Sequence, residues 1–314
     1  MTRVQCLIMN KNVLDIDNRE ADFYLIDKQS LRAEQGVRAI CVMYDDHSSD
    51  KNSREKIFLL KDNVHYRLFS LKHQYLIFLR ELSFAENYLQ ELDQKDPNLL
   101  NSIIYKNPYF EQIDLEISSV FDNIIFQLVS VYDYLSHLIC YICKTDKSKT
   151  VYWTKLAKLV HGKDNEFTNL NIRKVIAELD NKIVGRLYDY RSRLIHNKRD
   201  QHTFNVSQKF IDLKFSLKIR ASDLALKHFK TIREEYPNGE ITLAFLASWL
   251  IKRCFIDIEM ILDALRVEII NTSQLHQNLM NPKRNGFMFV SVDPKTKFAK
   301  PVSDGLWEQY KEMK

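Results

Sequence analysis

The chain has 314 residues, 45% of them apolar and 28% charged, with six glycines and six prolines. That is enough chain to bury a sizeable core in one large domain or two smaller ones. So little glycine and proline argues against a turn-rich all-β fold and for long helices. The net charge of +5 and pI near 8.7 permit phosphate or nucleic-acid binding through local clusters without demanding it.

Five scattered cysteines with no secretory signal point to reduced thiols. Cys140 and Cys143 form a CxxC, but inside a continuous apolar helical run and with no second pair or nearby histidines. A zinc site needs more ligands than that, so two core thiols are expected and no metal or cofactor is called for. The apolar run near the start is too short for a signal peptide. The most apolar window, Val120–Cys143, contains Asp122 and Asp133, which are costly in lipid. It is expected to be an inner helix of a bundle, and the protein is expected in the cytoplasm without membrane contact.

Residues 1–50 contain short β-prone runs at Val4–Met9, Asp22–Ile26 and Val37–Tyr44, and predict a small β-rich N-terminal region. Asp45–Arg54 follows as a polar loop. From 62 to 93, Val64, Leu68, Leu71, Tyr75, Leu79, Leu82, Ala85, Leu89 and Leu92 recur at steps of three and four, which is one helical stripe. A second long helix is predicted over Leu115–Cys143. Asp133 is the odd residue in it, and a buried acid needs a partner. It is either structural or a support for a site elsewhere. Val151–Val160 predicts a short helix.

Ile172, Val175, Leu179, Ile183, Leu187, Tyr190 and Leu194 keep helical spacing from Asn171 to His196, with a bend expected at Gly185. Asn197 is placed to cap that helix. Alternation from Ile211 to Ile219 predicts a half-buried strand, with Thr203–Val206 as its hairpin partner. A short helix at Ser222–Glu235, a turn at Tyr236–Gly239 and a long helix at Glu240–Ile270 follow. From Asn271 onward seven Lys and Arg face four Asp and Glu, which predicts an extended, solvated basic tail with an amphipathic turn near Trp307. The expected organisation is therefore mainly α: three or four long helices over residues 51–270, a β insertion at about 201–220, the β-containing region 1–50, and the tail 271–314.

Common catalytic signatures are missing. There is no GxxxxGK[ST] loop, no strand followed by GxGxxG, no HExxH and no GxSxG. The residues left to carry chemistry are Arg191 and His196, in the stretch YDYRSRLIHNKRD (Tyr188–Asp200). One reading needs no chemistry: basic residues at a helix C-terminus complement the helix dipole.

Arg, four residues, then His resembles the RxxxxH signature of the HEPN superfamily. Arg67 and His73 also match the spacing that the family allows, but they lie inside a long helix that continues for several turns. Arg191 and His196 lie at a helix exit beside a basic loop. The resemblance implies a helical bundle and a metal-independent endoribonuclease, acting in defence against phage or as a toxin. It also implies a homodimer whose two Arg and two His line one cleft. His would move the proton of the attacking 2′-OH, a task suited to a group titrating near neutrality. Arg would hold the phosphate and its extra negative charge. Arg191, His196 and Ser192 are the catalytic candidates. Arg193, Lys198 and Arg199 are candidates for holding the RNA backbone.

Ser192 stands where the family usually has Asn, Asp or His. Lys198 stands where some toxin members carry a Tyr that a partner enzyme modifies, so that form of control is not expected, though an antitoxin or regulatory protein remains an expected class of partner. The runner-up is a non-catalytic HEPN-like module for dimerisation and RNA or protein binding. A third reading is a helical scaffold whose stripes bind partner helices.

Overall fold

A computed structural model describes residues 18–48, 53–95, 108–144, 151–196, 200, 202–208, 215–237, 239–274, 290–292 and 299–313. In chain order these form α1 (Arg19–His47), α2 (Ser53–Lys95), α3 (Pro108–Cys143), α4 (Trp153–His161) and α5 (Ile172–Leu179). A π-helical turn, Asp180–Val184, joins α5 to α6 (Gly185–His196). Then come β1 (Thr203–Gln208), β2 (Phe215–Arg220), α7 (Asp223–His228), α8 (Thr231–Glu235), α9 (Leu243–Asn271), β3 (Val290–Val292), β4 (Ala299–Pro301) and α10 (Val302–Glu312). The fold is mainly α.

Residues 19–47 are helix, not strand. The runs expected as strands at Asp22–Ile26 and Val37–Tyr44 both lie within α1. Its buried positions explain why: Ile26, Ser30, Ala33, Val37, Ile40, Tyr44 and His47 recur at steps of three and four. β-branched residues at 37, 40 and 42 hide that period without overriding it, because packing decides over propensity. Asn18 caps the helix, its side chain accepting from the Ala21 N–H at 3.2 Å. Gly36 lets two neighbours approach closely. A Cβ there would lie 2.7 Å from Leu262 Cδ1 and 2.8 Å from the Tyr310 ring. The run expected at Val4–Met9 lies outside the described residues.

The described C-terminal residues also depart from expectation. Residues 302–312 are a packed helix rather than an extended tail. Trp307 and Tyr310 of α10 are buried, Arg32 of α1 lies over the Tyr310 ring at 5.4 Å, and Lys311 pairs with Glu259 and Asp263 of α9. α1 and α10 share one continuous core with α2, α3 and α9. The boundaries expected near residues 50 and 270 therefore do not separate independent units. β1 and β2 pair antiparallel, from Thr203 opposite Arg220 to Gln208 opposite Phe215. Glu86 of α2 accepts from the Leu217 N–H at 2.8 Å and pairs with Arg19, which ties this ribbon to the bundle.

α3 is long and apolar enough to cross a membrane, yet 67% of its most apolar window is buried inside the fold. It is the inner helix against which α2, α4, α6 and α9 pack. Cys140 is buried within it, and burial pushes its thiol up to about 11. Cys143 is partly buried against the same core, and burial pushes its thiol up as well. Such thiols stay protonated.

Asp257 of α9 is fully buried. It accepts from Tyr132 Oη at 2.7 Å, and Arg253 Nε lies 3.1 Å from its other oxygen. Burial pushes its carboxyl up to about 6 from 3.8, with Tyr132 and Arg253 offsetting only part of that cost. The folded state thus holds this proton more tightly than the unfolded chain. The contribution to stability is present below about pH 4 and is lost as pH rises to about 6, a change of at most about 3 kcal/mol. Asp257→Asn is expected to remove that slope. Urea unfolding of both proteins from pH 4 to pH 7 reads it, and an unchanged slope in the variant would place the titration elsewhere.

Candidate functional site

The motif helix α6 is seated by three devices. The first is the π turn before it, where Gly185 N–H donates back five residues to the Asp180 carbonyl. A Cβ on Gly185 would lie 2.8 Å from that oxygen. Gly185→Ala is therefore expected to destabilise the protein by about 1–3 kcal/mol through overpacking, although alanine is the better helix former. Urea denaturation measures this. The bend expected at Gly185 is thus a π insertion, and it turns the side chains that follow relative to α5.

The second device is Asp133, the odd acid of α3. Its Oδ1 accepts from Tyr188 Oη at 2.5 Å and from the Trp153 N–H at 3.0 Å. One carboxylate so holds the middle of α6 and caps the start of α4. Burial, then the neighbouring Asp133, pushes the Tyr188 phenol well up, so it remains a donor. The third device is Tyr190, fully buried, whose Oη donates to Asp200 Oδ2 at 2.8 Å. Ser222 donates to the same oxygen and accepts from the Ala225 N–H, capping α7. The Tyr190 ring meets Phe229 edge-on at 5.4 Å.

On this mount the candidate residues take distinct positions. Arg191 is half-buried, its guanidinium 5.9 Å from the centroid of Phe126 on α3. His196 is the last residue of α6 and is exposed. Ser192 and Arg193 are exposed. Arg193 lies near His228 of α7, whose imidazole is lowered first by burial and then by that charge. Lys198, Arg199 and the cap expected at Asn197 lie outside the described residues. Residues five apart on a helix are separated by about 140° and about 7.5 Å of rise. Accordingly Arg191 leans on α3 while His196 faces solvent, and among the described residues no hydrogen bond links them. One chain does not bring the pair together. Ile195, between them and His196's neighbour, is 50% exposed.

The competing pair is structural. Arg67 lies over the rings of Tyr66 and Tyr134, and His73 stacks on Phe69. Arg67 and His73 both sit in mid-helix, well before the end of α2 at Lys95.

Beside α6 the structure holds a feature that sequence reasoning did not find. A cleft of about 540 Å³ opens between α4, the π turn and α6, lined by Thr154, Lys158, His161, Asp180, Tyr188 and Asp189 among others. Trp153 Nε1 donates to Asp180 Oδ1 at 3.0 Å, and His161 Nε2 lies 3.4 Å from Asp180 Oδ2. Arg173 fixes the wall behind it, donating to the carbonyls of Val160, Gly162 and Thr168. These residues are spread over more than thirty positions, with no local pattern to betray them. Among the described residues no group of three or more His, Cys, Asp or Glu is placed to hold a metal ion.

No protein-family model matches the chain, and neither a curated protein nor a solved structure does.

Proposed function

We propose that the chain is a cytoplasmic, metal-independent endoribonuclease of the HEPN kind that acts as a homodimer in a defence or toxin role. The observation that carries this reading is the mount of α6. Two tyrosine–carboxylate bonds and a π turn hold the helix, while its last turn presents His196 to solvent beside the exposed apolar Ile195. A two-fold contact through Ile195 would bring the Arg191 and His196 of both copies toward one groove.

In that groove the 2′-OH of a ribose attacks the adjacent phosphorus and the bond to the 5′ oxygen of the next nucleotide breaks. The products are a 2′,3′-cyclic phosphate and a free 5′-OH. His196 takes the 2′-OH proton, and the leaving 5′ oxygen takes one from solvent water. Arg191 stabilises the charge on the phosphoryl oxygens, and Ser192 assists by hydrogen bonding. Arg193, Lys198 and Arg199 hold the backbone.

The test is incubation of labelled RNA with the full chain in EDTA, alongside measurement of its oligomeric state. Cleavage by a dimer, lost together with dimerisation in Ile195→Asp, is the expected result. Cleavage that requires magnesium overturns the mechanism. A folded dimer that binds RNA and cuts none favours the second reading, a non-catalytic HEPN-like module. The half-burial of Arg191 against α3 supports that alternative, since it also suits a purely structural residue.

A further inference from the structure

We propose that the cleft between α4, the π turn and α6 recognises a nucleobase carrying an exocyclic amino group, next to the scissile phosphate of a single-stranded RNA. The proposal rests on the ribonuclease reading for its substrate, but on separate residues for its chemistry.

The volume, about 540 Å³, falls in the ordinary range for small-molecule sites. The wall carries two carboxylates, Asp180 and Asp189, against one ammonium, Lys158. That acidic excess disfavours a free anion and suits a ring that presents N–H donors. The carboxylates are acceptors only. Asp180 is fixed by the Trp153 indole and His161. Asp189 is exposed. Acceptors of this kind pair with the amino groups of adenine, cytosine or guanine. Uracil has no amino group and offers on that edge only its N3–H, flanked by two carbonyls that the carboxylates would repel.

The walls suit a flat ring. Gly162 and Gly185 bring no side chain into the cleft, and Tyr188 and His161 bring rings. Single-stranded RNA is read in this way, by stacking of a splayed base and hydrogen bonds along its edge. Tyr188 has its hydroxyl engaged by Asp133, which leaves the ring as its contribution. The position is apt as well. Tyr188 precedes Arg191 by three residues on the same helix, about 60° around the axis and about 4.5 Å of rise. Lys158 stands at the exposed side, where a ribose phosphate would leave the cleft.

The test uses the full chain and two variants at exposed positions, Asp189→Ala and Thr154→Trp, the second filling the cleft. Circular dichroism establishes that both fold. Cut positions are mapped on a mixed-sequence RNA, and binding of the four nucleoside 5′-monophosphates is titrated separately. The expected result is a bias against uridine at one fixed position beside the cut. Both variants should lose the bias and raise KM about tenfold with kcat little changed. Adenosine, cytidine and guanosine monophosphates should bind more tightly than uridine monophosphate. Cleavage without such a bias, or with a bias that both variants keep, overturns the cleft proposal and leaves the ribonuclease reading standing. Absence of cleavage with amino-bearing nucleotides still bound, and weakened by Asp189→Ala, overturns the ribonuclease reading and supports the cleft. Neither cleavage nor nucleotide binding overturns both.

Discussion

His196→Ala is expected to lower the rate of RNA cleavage by about 10²–10⁴-fold, the usual worth of a positioned proton-transfer group, with a loss of stability of at most about 1 kcal/mol. The second half of that expectation comes from geometry. His196 ends α6 in solvent, so the substitution opens no core, and what it removes is a basic residue at the helix C-terminus. Arg191→Ala should lose a similar factor in rate, but also about 0.5–1 kcal/mol of stability, because it removes the contact with Phe126. Arg191→Lys separates charge from shape. A lysine keeps the charge but lacks the planar fork, so a rate close to wild type would mean that charge alone is needed. Mixing the His196→Ala and Arg191→Ala proteins is a sharper trial. Each mixed dimer keeps one Arg and one His, and partial recovery of cleavage is expected if the groove is shared. Single-turnover rates and urea melts on the same preparations read all of these. Equal cleavage by wild type and both alanine variants would sink the assignment.

The long helices were legible because their stripes run for many turns. The apolar series from Val64 to Leu92 predicts what α2 does, and the series from Ile172 to Leu194 predicts the path of α5 and α6. Two stretches depart from the sequence pattern for reasons visible in the structure. In α1, Val37, Ile40 and Val42 imitate a strand over eight residues, while the helical period emerges only across the whole of Ile26–His47. In α10, eleven residues make a helix that no local pattern announces beyond Trp307, because its stability comes from Tyr310 and Lys311 docking on α1 and α9.

The candidate site divides in the same way. Arg191 and His196 stand out by type, spacing and position at a helix end, all of which are local. Their supports are not local. Asp200 meets Tyr190 at ten residues' distance, and Asp133 meets Tyr188 at fifty-five. The odd acid in α3 signalled that it needed a partner, but nothing in the sequence named Tyr188. The cleft left no signal at all, since His161 meets Asp180 only because the π turn brings that carboxylate against the end of α4. Spacing patterns reveal chemistry carried by one element, and chemistry assembled from three elements leaves none.

The largest loss of stability at a single polar side chain is expected at Asp133. In Asp133→Ala, the Tyr188 hydroxyl and the Trp153 N–H both lose their acceptor, and α4 loses its cap, because Tyr152 at the N-cap position provides none. Hydrogen bonds to a charged group contribute about 1.5–3 kcal/mol each, so the variant should lose about 3–5 kcal/mol. Asp133→Asn keeps an acceptor and should lose less. Tyr188→Phe removes one of these bonds and leaves the cap, for about 1.5–3 kcal/mol. The double variant Asp133→Ala/Tyr188→Phe should then cost less than the sum of the two, by about 1–2 kcal/mol, since the second change removes a donor that the first had already orphaned. Additive losses would show that Tyr188 and Asp133 act independently. The same series bears on function. Tyr188→Phe keeps the ring in the cleft and removes only the hydroxyl, which interacts with Asp133 and lies within electrostatic reach of Arg191, so its cleavage rate reports what that hydroxyl contributes to the site. A fall in kcat larger than its loss of stability explains, with RNA affinity retained, would make Tyr188 a positioning residue. An unchanged kcat would confine the Asp133 network to holding the bundle together.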